Sequence, residues 1–514
     1  MNETTDSNRI VSYPFEKLHY GRQRILLDYD EVTPSNVIEV LQKALNIHGA
    51  NRQDCDYLIK YFLGDQDILH RQAPTTSNIN NQVVVNYAYP ITREIVGYTL
   101  GNPIEMISKD GDKRDAVKDF NDAYDYEGLN TTDVCVALYA SVCGVGYYIT
   151  LPSTEITKDN TPEIPLVIDC LDPRNTFVVQ SSSIGNPQIM SCTIIQRRDG
   201  KRIYTCYTDK YKMVIENMKE PVKSDVNPIG KDPITMLENS LFLTGDWEQA
   251  ISVMNASNLV ASDSLNDIEG TIRALLVITG TEFADDADAN IKKIKDNRLL
   301  VLNAPGGTNV DAKFIAPKLE SVSVQNVRDY LDEARNIITG IPDRENNTNG
   351  GGDTGTAVLN RNGWTDIEIV ARLKEMFIKK AKKKQIEVGL KILQTIGKID
   401  KSLRALDIDI SIPRHSHDNV STRATTFATL VATQELATVD ALELSGLTNR
   451  VNEMVERGKQ AKEERQKLAI QFAKASADAS GEGMDRPSTG ANRTAEIEKA
   501  AAGEITPEKK EQTK

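Results

Sequence analysis

The sequence predicts an α+β protein that is mainly helical, and three observations support this fold class. Short runs rich in β-branched and aromatic residues, separated by turn residues, occur between about 134 and 216. Two segments, 247–278 and 321–339, repeat apolar residues every three or four positions, which is the period of an amphipathic helix. A third segment with this period, from about 356 to 396, follows a stretch rich in glycine and asparagine.

Composition limits the class of protein. The chain has 514 residues, enough for several domains with ordinary cores. No stretch approaches about 18 uninterrupted apolar residues, so we expect no membrane-spanning helix. The six cysteines lack Cys-x-x-Cys spacing, and we interpret them as reduced thiols, with zinc binding or disulfides as alternatives. The net charge of −13 argues against tight DNA binding, because such proteins usually present a strongly basic face.

The first 240 residues mix helices and strands. Helical spacing begins near Val37, a second helix is expected to end at Gly101 before Pro103, and 113–126 also has a helical pattern. The following short segments are expected to form a small antiparallel sheet: 147–151, 166–168, 176–179, 190–196 and 204–207.

Two long helices enclose a small insert. The first, 247–278, would be about 48 Å long. The insert, 279–318, begins with an acidic helix-like piece and then carries strands at 299–302 and near 313–315. The apolar positions that we expect to pack these two helices are Trp247, Ile251, Met254, Leu265 and Ile268 in the first and Val327 and Leu331 in the second.

A polar segment follows the second helix. After Gly340-Ile341-Pro342, residues 343–356 contain no apolar side chain that could pack, so we predict a mobile loop. A helix then extends to about 396, further helices occupy 420–475, and the composition from 476 onward predicts disorder.

Three blocks of sequence together resemble the portal proteins of long-tailed phages. The first is the asparagine-rich lead Asn80-Asn81 to Asn86, then a helix ending in Gly97-Tyr98-Thr99-Leu100-Gly101-Asn102-Pro103-Ile104. The second is Gly245-Asp246-Trp247, with Asn258, Ser262, Asn266-Asp267-Ile268-Glu269 and Ala274-Leu275. The third is the order of helix, Gly-Ile-Pro, glycine-rich loop and long helix within 321–396. The resemblance covers roughly residues 75–400.

The resemblance implies a portal fold assembled as a ring, usually of about twelve subunits. It implies a wing at 1–240 and 357–397, stem helices at 241–278 and 319–340, a clip at 279–318, a tunnel loop at 341–356, a helical crown at 398–475 and a disordered tail at 476–514. Twelve helices, each about 10 Å wide, form a circle roughly 38 Å across between axes. The bore of roughly 28 Å would admit a duplex roughly 20 Å wide.

Each candidate site has a functional and an ordinary interpretation. The resemblance favours contact of the loop with DNA, whereas composition alone favours an interdomain linker. The DNA-facing candidates in it are Arg344, Asn346, Asn347, Thr348, Asn349, Gly350, Gly351 and Gly352.

The lysine run in the helix after this loop is a possible phosphate contact, although a solvated face or an intersubunit ion-pair surface is the commoner outcome. It consists of Lys379, Lys380, Lys382, Lys383 and Lys384. Asp286, Asp288 and Asn290 resemble the first three ligand positions of a calcium loop, but the sixth position is Ile291 rather than glycine, which departs too far from that motif. We interpret the acidic residues Asp285, Asp286 and Asp288 as a partner-docking surface on the clip.

No nucleotide-binding or hydrolase signature occurs in the sequence, so we predict no enzyme activity, no cofactor and no metal site. The resemblance implies double-stranded DNA, bound without sequence specificity, the large terminase subunit, head–tail adaptor proteins, and capsid and scaffolding proteins as partners, with no membrane. It also implies a place in the virion, at a capsid vertex, after assembly in the host cytoplasm. Two alternatives stay open: a helical adaptor or scaffold without DNA passage, and a metal-dependent nucleic-acid enzyme.

Overall fold

The chain divides into two units, Met1–His415 and Ser416–Lys514. The structure is a computed structural model. It describes residues 20–72, 79–109, 113–126, 128–153, 166–272, 275–279, 299–302, 311–315, 321–342, 364–413, 420–433, 438–445, 447 and 451–479.

The described helices and strands are numbered in chain order. The helices are α1 (Val37–Phe62), α2 (Ala88–Leu100), α3 (Arg114–Tyr126), α4 (Leu129–Cys143), α5 (Ile251–Ile272), α6 (Ser321–Thr339), α7 (Trp364–Ile396), α8 (Val420–Ala432), α9 (Thr438–Ser445) and α10 (Val451–Ala479). The strands are β1 (Ile25–Leu27), β2 (Glu105–Ser108), β3 (Val145–Pro152), β4 (Leu166–Leu171), β5 (Thr176–Ser181), β6 (Gln188–Gln196), β7 (Arg202–Tyr207), β8 (Tyr211–Glu216), β9 (Lys219–Val226), β10 (Ile234–Glu238), β11 (Leu275–Thr279), β12 (Leu299–Leu302), β13 (Asp311–Ile315) and β14 (Ile408–Ser411).

A six-stranded sheet packs against the first half of α1. Its strand order is β1-β5-β6-β7-β8-β9, with β1 parallel to β5 and the other neighbours antiparallel. Alternate residues of the central strands face the helix, as the period of two requires. This core contains Val37, Val40, Leu41 and Ala44 from α1 and Phe177, Val179, Met190, Cys192, Tyr204, Cys206, Met213 and Ile215 from the sheet.

A second core surrounds the antiparallel sheet β10-β3-β4, which is covered by α4 and α7. Helix α4 ends at Cys143 and is followed by Gly144, whose φ of +81° is left-handed and where a Cβ would lie 1.9 Å from the Leu243 carbonyl oxygen. Only glycine fits this close approach.

The predicted strands in the first 240 residues are confirmed, although the region differs from the expectation in two ways. Residues 134–143, expected to begin the β-rich region, belong to α4. Strands β1, β2, β8, β9 and β10 were not expected, and the five predicted strands are divided between two sheets rather than forming one small one.

The predicted helix 247–278 is wrong at both ends. Residues Glu248–Ala250 form a 3-10 turn, α5 spans Ile251–Ile272, and Leu275–Thr279 form strand β11. Strand β11 pairs parallel with β12 and antiparallel with β13. A short apolar run is compatible with a helix or a strand, and here pairing with distant segments decides the outcome. The predicted helix 321–339 and strand 299–302 are confirmed.

The helical prediction for 398–475 is wrong at its start. Strand β14 pairs antiparallel with β2, which places Ile410 opposite Met106, and both side chains belong to the core beneath α7. The alternation of Ile408, Ile410 and Ile412 is therefore that of a strand. In the second unit α8 packs on α9 and α9 on α10. Helix α10 extends to Ala479, three residues beyond the predicted start of the disordered tail at 476, and residues 480–514 lie outside the described part.

Candidate functional site

Residues 79–87, here called the strap, run along helix α5 without forming a helix or strand. The backbone N–H groups of Asn81, Val83 and Val85 donate to the side chains of Asn266, Ser262 and Asn258, at 2.7, 2.9 and 2.8 Å respectively. The spacing of the acceptors along the helix matches the spacing of the donors along the strap. Four helical residues rise about 6 Å, and two extended residues span about 6.6 Å. The helix therefore supplies one acceptor per turn to every second donor of the strap.

The asparagines around the strap complete this network. Asn81 Nδ2 donates to Glu269 at 2.8 Å, and Asn86 Nδ2 donates to the Phe62 carbonyl at 2.9 Å. Asn258 Nδ2 donates to Gln66 at 2.6 Å, and the side chain of Asn258 is fully buried. Asn81 and Asn86 of the strap and Asn258 of α5 thus pair with polar groups at the contact between the strap and its neighbours.

Replacing Asn258 with alanine is expected to lower the free energy of unfolding by about 1–3 kcal/mol. The substitution leaves the Val85 N–H and the Gln66 side chain without their buried partner. Urea denaturation at fixed subunit concentration measures the change. Ser257→Ala is the matched control, because the one hydrogen bond of the Ser257 hydroxyl among the described residues goes to the Val253 carbonyl of its own helix. Equal stability of the two variants would contradict a role for the strap network.

The triplet Gly245-Asp246-Trp247 attaches the start of α5 to the rest of the first unit. A Cβ on Gly245 would lie 2.5 Å from the Val142 carbonyl oxygen. Asp246 accepts from Lys374 of α7 at 2.6 Å and from Ser141 of α4 at 2.5 Å.

The indole of Trp247 is fully buried and donates to Thr92 of α2 at 2.9 Å. It stacks on Tyr61 of α1, with ring centroids 5.5 Å apart. The three residues together therefore contact four helices, α1, α2, α4 and α7.

A buried ion pair that the sequence did not reveal lies beside this triplet. Arg22 Nη2 and Glu248 Oε1 are 2.6 Å apart, and both side chains are at most 1% exposed. Glu248 also accepts from the backbone N–H groups of Gly21 and Gly245, each at 2.8 Å. Burial raises the pKa of Glu248, and the charge of Arg22 and these two hydrogen bonds oppose that rise. Since the partners are 226 residues apart, no local pattern could have indicated the pair.

The residues expected to pack the stem fall into two groups. Trp247, Ile251 and Met254 are fully buried in a core that α1 and α2 share. Leu265 and Ile268 of α5 are 44% and 47% exposed, and Val327 of α6 is 46% exposed. Leu331 is partly buried. The first group packs inside the subunit, whereas Leu265, Ile268 and Val327 leave much of their apolar surface uncovered in it.

Helix α6 contacts α5 and exposes further large apolar side chains. Val322, Tyr330 and Ile337 are 72%, 68% and 73% exposed. On its other side, the guanidinium of Arg335 lies 3.7 Å from the ring centroid of Tyr87, at the end of the strap. Several exposed apolar residues on two packed helices are typical of a surface that another chain covers.

The five lysines of the run in α7 lie in different environments. Lys382 is 1% exposed and its ammonium lies 2.7 Å from Asp133, so the prediction that it contacts phosphate is wrong. Lys379 pairs with Glu375 at 2.7 Å and Lys380 with Glu238 at 3.1 Å. Lys383 and Lys384 are exposed, and within the described residues neither makes an ion pair or hydrogen bond. The helical period explains the division, since Lys382 lies on the core-facing side of α7.

Two predicted sites lie outside the described residues. They are the loop candidates Arg344 and 346–352, and the acidic residues Asp285, Asp286 and Asp288. Within the described part, no group of three or more His, Cys, Asp and Glu side chains is placed to hold a metal ion. Among the same residues, no helix is both long enough and apolar enough to span a membrane. All six cysteines are free thiols.

Comparison with known proteins identifies a family and similar solved structures. The family model described as "Phage portal protein, SPP1 Gp6-like" matches residues 41–468. No curated protein matches. Among solved structures, a chain described as the neck of an empty GTA particle computed with C6 symmetry is similar with a TM-score of 0.42 and 13% sequence identity. The match covers 70% of this chain and 90% of that one.

The family match includes the strap, the Gly245-Asp246-Trp247 triplet, α5, α6 and α7, which are the elements of the site. Since it extends over well more than half of the sequence, the chain belongs to the SPP1 Gp6-like family of phage portal proteins.

Proposed function

We propose that this chain is one subunit of a ring of about twelve copies at one capsid vertex, through which double-stranded DNA passes during packaging and ejection. The observation that supports this most is the family match over residues 41–468. The ring would also be the docking platform for the terminase motor and the head–tail connector proteins. The subunits would assemble in the host cytoplasm and remain in the virion.

Two packed helices with exposed apolar residues support the ring. Leu265 and Ile268 on α5 and Tyr330 and Ile337 on α6 have no partner chain in a single subunit, and burying them between neighbours would drive assembly. Helices α5 and α6 would then form the stem. The bore of roughly 28 Å calculated for twelve helices passes a duplex.

The other regions receive roles by the same proposal. The mixed part of the first unit would be the wing, together with α7. The small sheet β12-β11-β13 would be part of the clip, with Asp285, Asp286 and Asp288 on its partner surface. The loop 341–356 would face DNA in the tunnel. The crown would begin at Ser416 rather than at 398, because residues 398–413 belong with the first unit.

Electron microscopy of the purified protein tests this function. Closed rings of about twelve subunits with an axial hole of at least roughly 20 Å would support a DNA conduit. Filaments, or closed particles without an axial hole, would favour the helical adaptor and overturn the proposal.

Replacing Leu265 with aspartate is expected to abolish ring formation. Each subunit interface would then bury a carboxylate without a partner, which costs several kcal/mol and is repeated around the ring. Size-exclusion chromatography and electron microscopy of the variant measure the loss of rings. The fold itself should persist, because Leu265 is 44% exposed in the single subunit.

The matched control is Ile184→Asp, which adds the same charge at a fully exposed apolar residue in the turn between β5 and β6. This variant should assemble normally. Rings formed equally by both variants would show that Leu265 does not face a neighbouring subunit.

A further inference from the structure

A cleft lies between helix α7, the end of strand β10 and the turn between β5 and β6. Its volume is about 340 Å³. Three of its lining side chains are cationic, Arg24, Lys380 and Lys384, and one is a carboxylate, Glu238. Gln180, Asn186 and Gln188 add neutral polar groups to the wall. The cleft therefore carries two positive charges in excess, in a chain whose net charge is −13.

The single carboxylate is already shared by two of the cations. Glu238 Oε1 accepts from Arg24 Nη1 at 2.5 Å, and Glu238 Oε2 accepts from Lys380 Nζ at 3.1 Å. Arg24 also donates to the Leu241 carbonyl at 3.2 Å. Each cation has more N–H groups than these bonds use, since an ammonium has three and a guanidinium has five.

Lys384 differs from the other two cations. Among the described residues its ammonium makes no hydrogen bond and no ion pair. The Lys384 side chain is exposed by area, yet partial desolvation beside the cleft wall lowers its pKa, and the positive charge of Lys380, one helical turn away, lowers it further, while Glu238 and Glu387 oppose the shift. A lysine is thus held beside a second lysine on one wall of a cleft, an arrangement that an anion between them would stabilise.

We propose that this cleft binds a phosphate group, with Lys384 and Lys380 donating to its oxygens and Arg24 contributing charge and spare N–H donors. The excess charge of the cleft matches a phosphate dianion. A phosphate also presents several acceptor oxygens in different directions, which suits donors arriving from α7 and from the chain before β1. The phosphate comes either from a free phosphate ion or from the backbone of DNA. The site is complete within one subunit and does not depend on ring formation.

Thermal unfolding with increasing inorganic phosphate, at constant ionic strength maintained with chloride, tests the site. The wild-type protein should gain thermal stability as phosphate rises, because a ligand that binds the folded state stabilises it. Lys384→Gln should weaken phosphate binding about tenfold, as expected for the loss of one charge-assisted hydrogen bond. Lys384→Arg should restore part of the affinity.

Lys383→Gln is the matched control. It removes the same charge from the adjacent exposed residue, which does not line the cleft. This variant should bind phosphate as the wild type does. An absence of phosphate-dependent stabilisation in the wild type, or equal weakening by Lys383→Gln and Lys384→Gln, would overturn the proposal.

A second titration, with a short DNA duplex followed by fluorescence anisotropy, separates the two sources of phosphate. Weaker duplex binding by Lys384→Gln than by Lys383→Gln would assign the site to backbone phosphates. Equal duplex binding, with the phosphate response lost only in Lys384→Gln, would assign it to the free ion. Ring formation by both variants in the electron microscope would keep this outcome separate from the test of the portal function.

Discussion

Replacing Asp133 with alanine is expected to lower the free energy of unfolding by about 3–5 kcal/mol, because it leaves the charge of Lys382 buried without its partner. The Lys382 ammonium lies 2.7 Å from Asp133, and the two side chains are 1% and 3% exposed. The other contacts of the ammonium are Gln385 at 3.2 Å and the faces of the Tyr148 and Tyr124 rings at 5.2 and 5.7 Å. None of these replaces a carboxylate.

The pH dependence of this variant gives a second measurement. Burial lowers the pKa of Lys382, and the charge of Asp133 partly offsets that effect. Below the ordinary pKa of lysine and above the lowered one, the unfolded chain binds this proton more tightly than the folded chain, so stability increases with pH. Loss of Asp133 lowers the folded pKa further. The difference in free energy of unfolding between the wild type and Asp133→Ala should therefore decrease as the pH rises toward the ordinary pKa of lysine.

The double variant Asp133→Ala/Lys382→Met is the control for this pair. It removes both charges together and fills the space of the lysine with an apolar side chain, so most of the lost stability should return. Chemical denaturation of the wild type, both single variants and the double variant, all at one subunit concentration, gives the four free energies of unfolding of a double-mutant cycle. A double variant as unstable as the sum of the singles would show that the two groups do not interact.

Replacing Trp247 with alanine is expected to lower the free energy of unfolding by a similar amount, about 3–5 kcal/mol. The indole is fully buried where α1 and α2 meet the start of α5, so its removal leaves a large cavity. The lost stability includes the stacking of the indole on Tyr61, with ring centroids 5.5 Å apart, and the hydrogen bond to the buried Thr92 hydroxyl.

Trp247→Phe separates these contributions. It keeps an aromatic ring against Tyr61 and removes the N–H donor, so the variant should lose about 1–3 kcal/mol, for the unsatisfied Thr92 hydroxyl. Urea denaturation followed by circular dichroism measures both variants. If Trp247→Ala cost no more than Trp247→Phe, the aromatic ring would contribute little to stability, and the prediction would be wrong.

The blocks that first indicated the family have separate structural roles that the sequence did not distinguish. Asn258, Ser262 and Asn266 recur every four residues because they receive alternate N–H groups of the strap. This spacing is visible in the sequence, but the donors come from residues 173–185 positions away. A pattern along one segment shows which side chains share a face, and it does not show which distant backbone they contact.

The sequence by itself determined the fold class, the positions of α6 and most of α7, five strands of the first 240 residues, and the likeness to a family that the comparison then confirmed. Local periodicity and turn residues are sufficient for these. Only the tertiary structure decided that Leu275–Thr279 is a strand and that Lys382 is buried. It also separated two residues of one predicted apolar stripe, since Trp247 lies in a core and Leu265 lies at the surface. Each of these outcomes depends on a partner far away in the chain, such as Asp133, 249 residues from Lys382, and the free energy of such a contact leaves no local pattern.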